Sequence, residues 1–190
     1  YTPEAPEGPD TPEAAEEALK AACAAAGTPH EPPPSDDPAG PPEPPLRVRV
    51  EAALGRGESL AGWDCADGDL SGMSLAGVDF TAALLTGCNL TGCDLTGAVF
   101  AEVSAGGAVL TGATLTEATL AKGDFTGARF DDAPMGRLRG AHACFDGASM
   151  ARIAAHEADL TGASMIGAVL DGAVLDGAVL DGADLAGASL

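Results

Sequence analysis

Every fifth residue from Leu60 to Leu190 is apolar or small, and the phase never slips. All five Phe of the 190-residue chain fall on this comb, as do fifteen of the seventeen Leu that follow residue 57. Period five matches neither the 3.6-residue repeat of a helix nor the two-residue alternation of a plain strand. Two positions before each comb residue runs a second lattice of small side chains, with Ala in every slot from Ala158 to Ala188. Two positions after it the chain usually places Gly, which tolerates unusual backbone angles. A single pentad cannot bury its own apolar pair, but stacked coils can, so the repeat specifies a solenoid. Such regular stacking leaves little room for a catalytic cleft.

Units such as Cys93-Asp94-Leu95-Thr96-Gly97, Ala158-Asp159-Leu160-Thr161-Gly162 and Ala183-Asp184-Leu185-Ala186-Gly187 resemble the pentapeptide-repeat family. The resemblance covers residues 58–190. It implies an all-β fold, a right-handed four-sided β-helix with one pentad per face and twenty residues per coil. Phe80 and Phe100 are twenty apart, as are Phe125 and Phe145, so coils of that length would stack each pair. Where the comb residue shrinks, the slot two before it grows: Val103 with Ala105, Leu138 with Gly140, Ile153 with Ala155. Interior volume is thereby held, which predicts repacked coils that stay in register.

Residues 1–57 have another composition, with thirteen of the fourteen Pro before Leu46. Residues 1–45 read as an acidic, mostly disordered Ala/Pro-rich tail and linker carrying a short helix over 12–26. Residues 46–57 read as a cap on the first coil. Leu46, Val50, Ala53 and Leu54 have helical spacing, yet Leu46, Val48 and Val50 also alternate as a strand would. Residues 58–190 are the β-helix. The chain starts at Tyr1 and stops at Leu190 after three identical Ala-Val-Leu-Asp-Gly units, which reads as an excerpt of a longer protein.

The net charge of −20 disfavours nucleic acid as a direct ligand, because DNA and RNA binding needs cations to replace counterions. All five cations of the repeats fall in one belt, Lys122, Arg129, Arg137, Arg139 and Arg152, joined by His142 and His156. These seven are the candidate partner contacts. Cys65, Cys88 and Cys93 occupy inward slots and should be buried thiols, whereas Cys144 should face out and Cys23 belongs to the tail. No spaced Cys or His set suggests a metal, no phosphate loop or dinucleotide fingerprint suggests a cofactor, and no nucleophile elbow suggests catalysis. Neither a signal peptide nor a membrane span is evident, so a cytoplasmic location is expected, with secretion as part of a larger protein as the variant of it.

The expected function is a non-catalytic scaffold that binds a protein partner within a larger bacterial protein. Gly57 to Asp64, entering the repeats after a Pro-rich linker, resembles repeat tails of multidomain bacterial proteins, some associated with type VI secretion. Self-association end to end through the last coil belongs to the same reading. The alternative is an acidic DNA mimic that binds gyrase or another topoisomerase, as in the quinolone-resistance branch of the family. Its contacts would be Asp64, Asp69, Asp79 and Asp94, which precede comb residues and are expected to point outward without stabilising the core.

Overall fold

Backbone hydrogen bonding explains the period of five. In the computed structural model, which describes residues 43–190, the comb carbonyl accepts from the N–H three residues on (Trp63 N to Leu60 O, 3.1 Å) in every pentad but that of Met150, closing a tight turn. The comb residue's own N–H donates to the next coil, as Leu60 does to Asp79 O at 3.0 Å. The corner residue two places on does likewise, Gly62 to Thr81 O at 2.9 Å. The residue before the comb donates back to the preceding coil, Leu84 N to Trp63 O at 2.9 Å. Parallel one-residue bridges therefore join positions twenty apart, from Asp64 and Leu84 to Val169 and Ser189. Four pentads close one coil, and the coils stack as a four-sided β-helix without interruption.

Among the described residues no strand is longer than one bridge, because only three residues of each pentad are extended before the next turn. The all-β expectation is refined accordingly: bridges and turns carry the solenoid, and among the described residues one helix accompanies it. The ladder lacks a bridge between Thr114 and Pro134, since Pro134 has no N–H to donate. Its carbonyl still accepts the Leu115 N–H at 2.7 Å, so the coil keeps its place.

That helix, α1, spans Leu46–Gly55 and follows Pro44-Pro45. Val50 and Ala53 are fully buried in the same core as the repeats, with Leu46 and Leu54 packed against it. The helical spacing is thus the one realised. Val48 lies on the outer side, 49% exposed, which rules out the alternating strand. Leu46 lies against Gly68, where any Cβ would meet its Cδ2 at 2.1 Å, and Arg47 donates to the Ser71 carbonyl at 2.9 Å. The expected tail and its helix over 12–26 lie outside the described residues.

Inside the coils the comb side chains form a column per face. Phe80 stacks on Phe100 with ring centres 5.0 Å apart, and Phe125 on Phe145 at 5.6 Å, as the twenty-residue spacing requires. Volume compensation is direct at Gly140: a Cβ there would lie 3.2 Å from Leu138 Cδ2, so the Leu138 side chain fills the space the comb vacates. Gly123 shows the converse. Phe125 and Val103 occupy the room of its absent side chain. Cys65, Cys88 and Cys93 are buried, while Cys144 is half-buried with its Sγ 3.3 Å from the Thr126 hydroxyl.

Candidate interaction surface

The ladder leaves one N–H per pentad without a backbone partner, that of the residue just after the comb. Where an Asp or Asn stands just before the comb, it accepts this N–H: Ala66 N to Asp64 (3.1 Å), Ser71 N to Asp69 (3.0 Å), Thr81 N to Asp79 (2.9 Å) and Thr96 N to Asp94 (3.1 Å). The four DNA-mimic candidates point outward, as expected, and in addition each holds its turn. Their carboxyls face outward but are engaged as turn caps of the Asx type. The Ser71 N–H and hydroxyl hold Asp69 below the ordinary carboxylate range, and the hydroxyl and N–H of Thr81 and of Thr96 do the same for Asp79 and Asp94. In two pentads the cap comes from the preceding coil instead. Asp131 accepts from Ala151 N and the Ser149 hydroxyl, and Asp146 from Ile166 N and the Ser164 hydroxyl.

The corner two residues after the comb always lies in the left-handed region. Sixteen Gly take it at φ between 63° and 72°, but ten other residues take it at 54° to 61°. Only Ala82 among these ten is apolar; the rest are Asp67, Glu102, Glu117, Lys122, Asp132, Arg137, His142, Arg152 and Glu157. Twenty-residue coils stack them into columns. Glu117, Arg137 and Glu157 share one corner, Glu102, Lys122 and His142 a second, and Asp132 and Arg152 a third. Signs alternate in the first and third columns. Arg137 pairs with Glu117, and Arg152 makes a two-pronged pair with Asp132 at 2.7 and 2.8 Å. The His142 ring lies over Gly162, where a Cβ would meet Nδ1 at 2.6 Å. Gly suits this corner both for its φ and for the room it leaves the ring.

The seven belt residues are all exposed, but they do not converge on one site. Lys122, Arg137, His142 and Arg152 stand at corners, Arg129 and Arg139 in the middle of two different faces, and His156 beside the Arg137 corner. Four of them, Lys122, Arg137, Arg139 and His142, belong to a single face whose outward residues are Asp79, Val99, Thr119, Arg139, Asp159 and Val179. An open groove of about 530 Å³ lies on it, lined by Glu117, Arg137, Leu138, Arg139, Glu157 and Asp159. A second depression of about 250 Å³ lies across the Arg137 corner, beside Gly136 and His156. Arg129 sits 3.7 Å from Asp131 and His156 3.9 Å from Asp176. Sequence reading missed the corner carboxylates Glu102, Glu117 and Glu157. Their signal was present as charged residues in Gly slots, twenty apart from the cations.

Among the described residues no group of three or more His, Cys, Asp or Glu is placed to hold a metal, and no helix is long and apolar enough to cross a membrane.

A family model described as pentapeptide repeats matches residues 64–100, 93–132 and 156–190, in eight copies. Residues 133–155, between the last two segments, hold most of the belt. No curated protein matches the chain. Among solved structures the chain is similar to HetL, a pentapeptide repeat protein involved in heterocyst differentiation regulation from the cyanobacterium Nostoc sp. strain PCC 7120. That match has 20% identity and TM-score 0.39, over 77% of this chain and 92% of the other. It is also similar to full-length QnrB1, a plasmid-mediated fluoroquinolone resistance protein, at 13% identity and TM-score 0.39 over 69% and 90%. A third likeness is a pentapeptide repeat protein of the Arabidopsis thaliana thylakoid lumen, at 28% identity and TM-score 0.28 over 77% of each chain.

Proposed function

The chain belongs to the pentapeptide-repeat family, a family of right-handed β-helices, and from that premise we propose that it is a non-catalytic scaffold for protein interaction. Its contact surface is the charged corners of the middle coils. One observation carries this reading: nine titratable side chains occupy left-handed corners where the same fold elsewhere uses Gly. A residue with a Cβ costs roughly 1 kcal/mol or more in that conformation. The ion pairs that result are solvent-exposed, and such pairs return about 0 to 1 kcal/mol each. The corners are therefore held at a net cost to the fold, a pattern that points to function.

The test replaces Glu102, Glu117, Lys122, Arg137, His142 and Glu157 together with Gly. The expected result is a thermal midpoint equal to or above that of the parent chain. A midpoint lower by several degrees would mean that the corners serve stability, and the scaffold surface would have to be sought elsewhere.

A second reading, the DNA mimic, is favoured by the first coils: from residue 58 to residue 121 the repeats carry carboxylates and no cation. Its test is inhibition of gyrase supercoiling by the chain. The informative variant changes Asp64, Asp69, Asp79 and Asp94 to Asn, which removes charge and preserves the caps, since Asn89 already caps the Thr91 N–H at 3.1 Å. We expect no inhibition at micromolar protein. Salt-sensitive inhibition abolished by the four substitutions would install the mimic in place of the scaffold.

A further inference from the structure

The framed face is set apart among the repeats by its unpaired cations. Among the described residues Arg129, Arg137 and Arg152 each have a carboxylate partner, and so do Arg47 and Arg56 at α1. Arg139 and Lys122 have none, and both belong to this face. Leu120 N to Arg139 O (2.7 Å) and Lys122 N to Ala141 O (3.1 Å) fix their relation: Lys122 lies one coil before Arg139, on the bordering corner. Arg139 stands where neighbouring coils put the shorter Thr119 and Asp159, so its guanidinium rises from the floor of the groove.

Charge is ordered in rows across this face. One coil presents Arg137, Arg139 and His142. The coil after it presents Glu157 and Asp159, the latter committed as acceptor for the Thr161 N–H and hydroxyl at 3.0 and 2.6 Å. The coil before it presents Glu117 beside Lys122. A cationic row is thus bounded by carboxylates on both sides. A broad polyanion such as duplex DNA or an anionic membrane would meet those carboxylates and be repelled. A single carboxylate on an otherwise neutral or basic segment would meet only the cations.

We propose that this face docks a segment of a partner protein through acidic side chains received by Arg139 and Lys122, with Glu117, Glu157 and Asp159 selecting neutral or basic residues on either side. The planar guanidinium suits two-pronged capture of a carboxylate, and Lys122 supplies a second, compact charge. The inference rests on the scaffold reading and is narrower than it: the Gly-corner test concerns why charged corners exist, whereas the test here concerns what one face selects.

The experiment selects a displayed library of random peptides on the immobilised full chain, then measures each enriched peptide against the parent, Arg139→Gln, Lys122→Gln and, as a control on another face, Arg129→Gln. Enriched peptides are expected to share an Asp or Glu. Their affinity should fall at least ten-fold on combining Arg139→Gln with Lys122→Gln, fall similarly when the peptide's own acid becomes its amide, and stay unchanged on Arg129→Gln. Both substituted cations are exposed and unpaired, so unfolding midpoints should match the parent. Enrichment without acidic residues, affinity indifferent to Arg139 and Lys122, or no binding peptide at all would overturn the proposal. So would binding of duplex DNA or phosphatidylserine vesicles that depends on Arg139.

Discussion

At the scale of single residues, slot identity decides energetic weight. Leu138 is buried and occupies the space left by Gly140, whereas Leu84 on an outer face is 45% exposed. Leu138→Ala should cost about 2 to 4 kcal/mol, the range for a truncated buried Leu, and Leu84→Ala much less. Equal shifts in denaturation midpoint would contradict the inward and outward slots. The inward thiols give a second readout. Burial pushes the Cys88 thiol up to about 12 and, with the nearby Asp64 carboxylate adding to burial, Cys65 up to about 11. Thiolate is the reactive form, so alkylation of the native chain at pH 8 should leave Cys65, Cys88 and Cys93 unmodified on peptide mapping until the fold is opened by denaturant. Modification of these three in the native state would mean that the coils breathe.

At the scale of the coil, the caps link stability to pH. Asp69, Asp79, Asp94, Asp146 and Asp159 all sit below the ordinary carboxylate range, each because hydroxyl and N–H donors of a neighbouring turn bond its ionised form. A carboxyl depressed on folding stabilises fully above its unfolded pKa of about 3.9, and that contribution is lost as pH falls through the lower folded value. The thermal midpoint should therefore be level from pH 8 to 5 and fall below about pH 4. Changing Asp69, Asp79 and Asp94 to Asn, which caps without titrating, should shallow that fall. An unchanged acid slope in this variant would remove the caps from the account. The period of five, the inward slots and the volume exchanges were all legible in the sequence, because they depend only on neighbours within a pentad. The caps were not. Seeing that Asp64 serves Ala66 requires knowing which N–H the coil-to-coil ladder leaves over.

At the scale of the whole chain, what sequence reading could not supply was the wrap. The Phe pairs hinted at twenty residues per coil, but the sign alternation of Glu117, Arg137 and Glu157 has no meaning until the chain is wound. Once it is, the belt separates into residues that frame one face and residues, such as Arg129 and Arg152, that point elsewhere. Residues 133–155, which the family model leaves unmatched, keep the hydrogen bonds of the regular coils except at Pro134 and Ile153, including Phe145 N to Ser164 O at 2.7 Å. The departure there is in chemistry, not in backbone.

The winding also makes position along this chain an angle as well as a distance. Removing twenty residues deletes one storey and leaves every column aligned. Removing five, for example residues 123–127, keeps each apolar slot filled but turns everything downstream by a quarter revolution. Arg137 would then stand over Gly112 instead of Glu117. Such a chain should still fold cooperatively while losing any function that depends on the framed face, and the twenty-residue deletion of 83–102, which spares the coil that α1 packs on, should keep both. Length changes in this protein therefore act as a combination lock: multiples of four pentads return every wheel to its setting, and single pentads scramble the code without breaking the case.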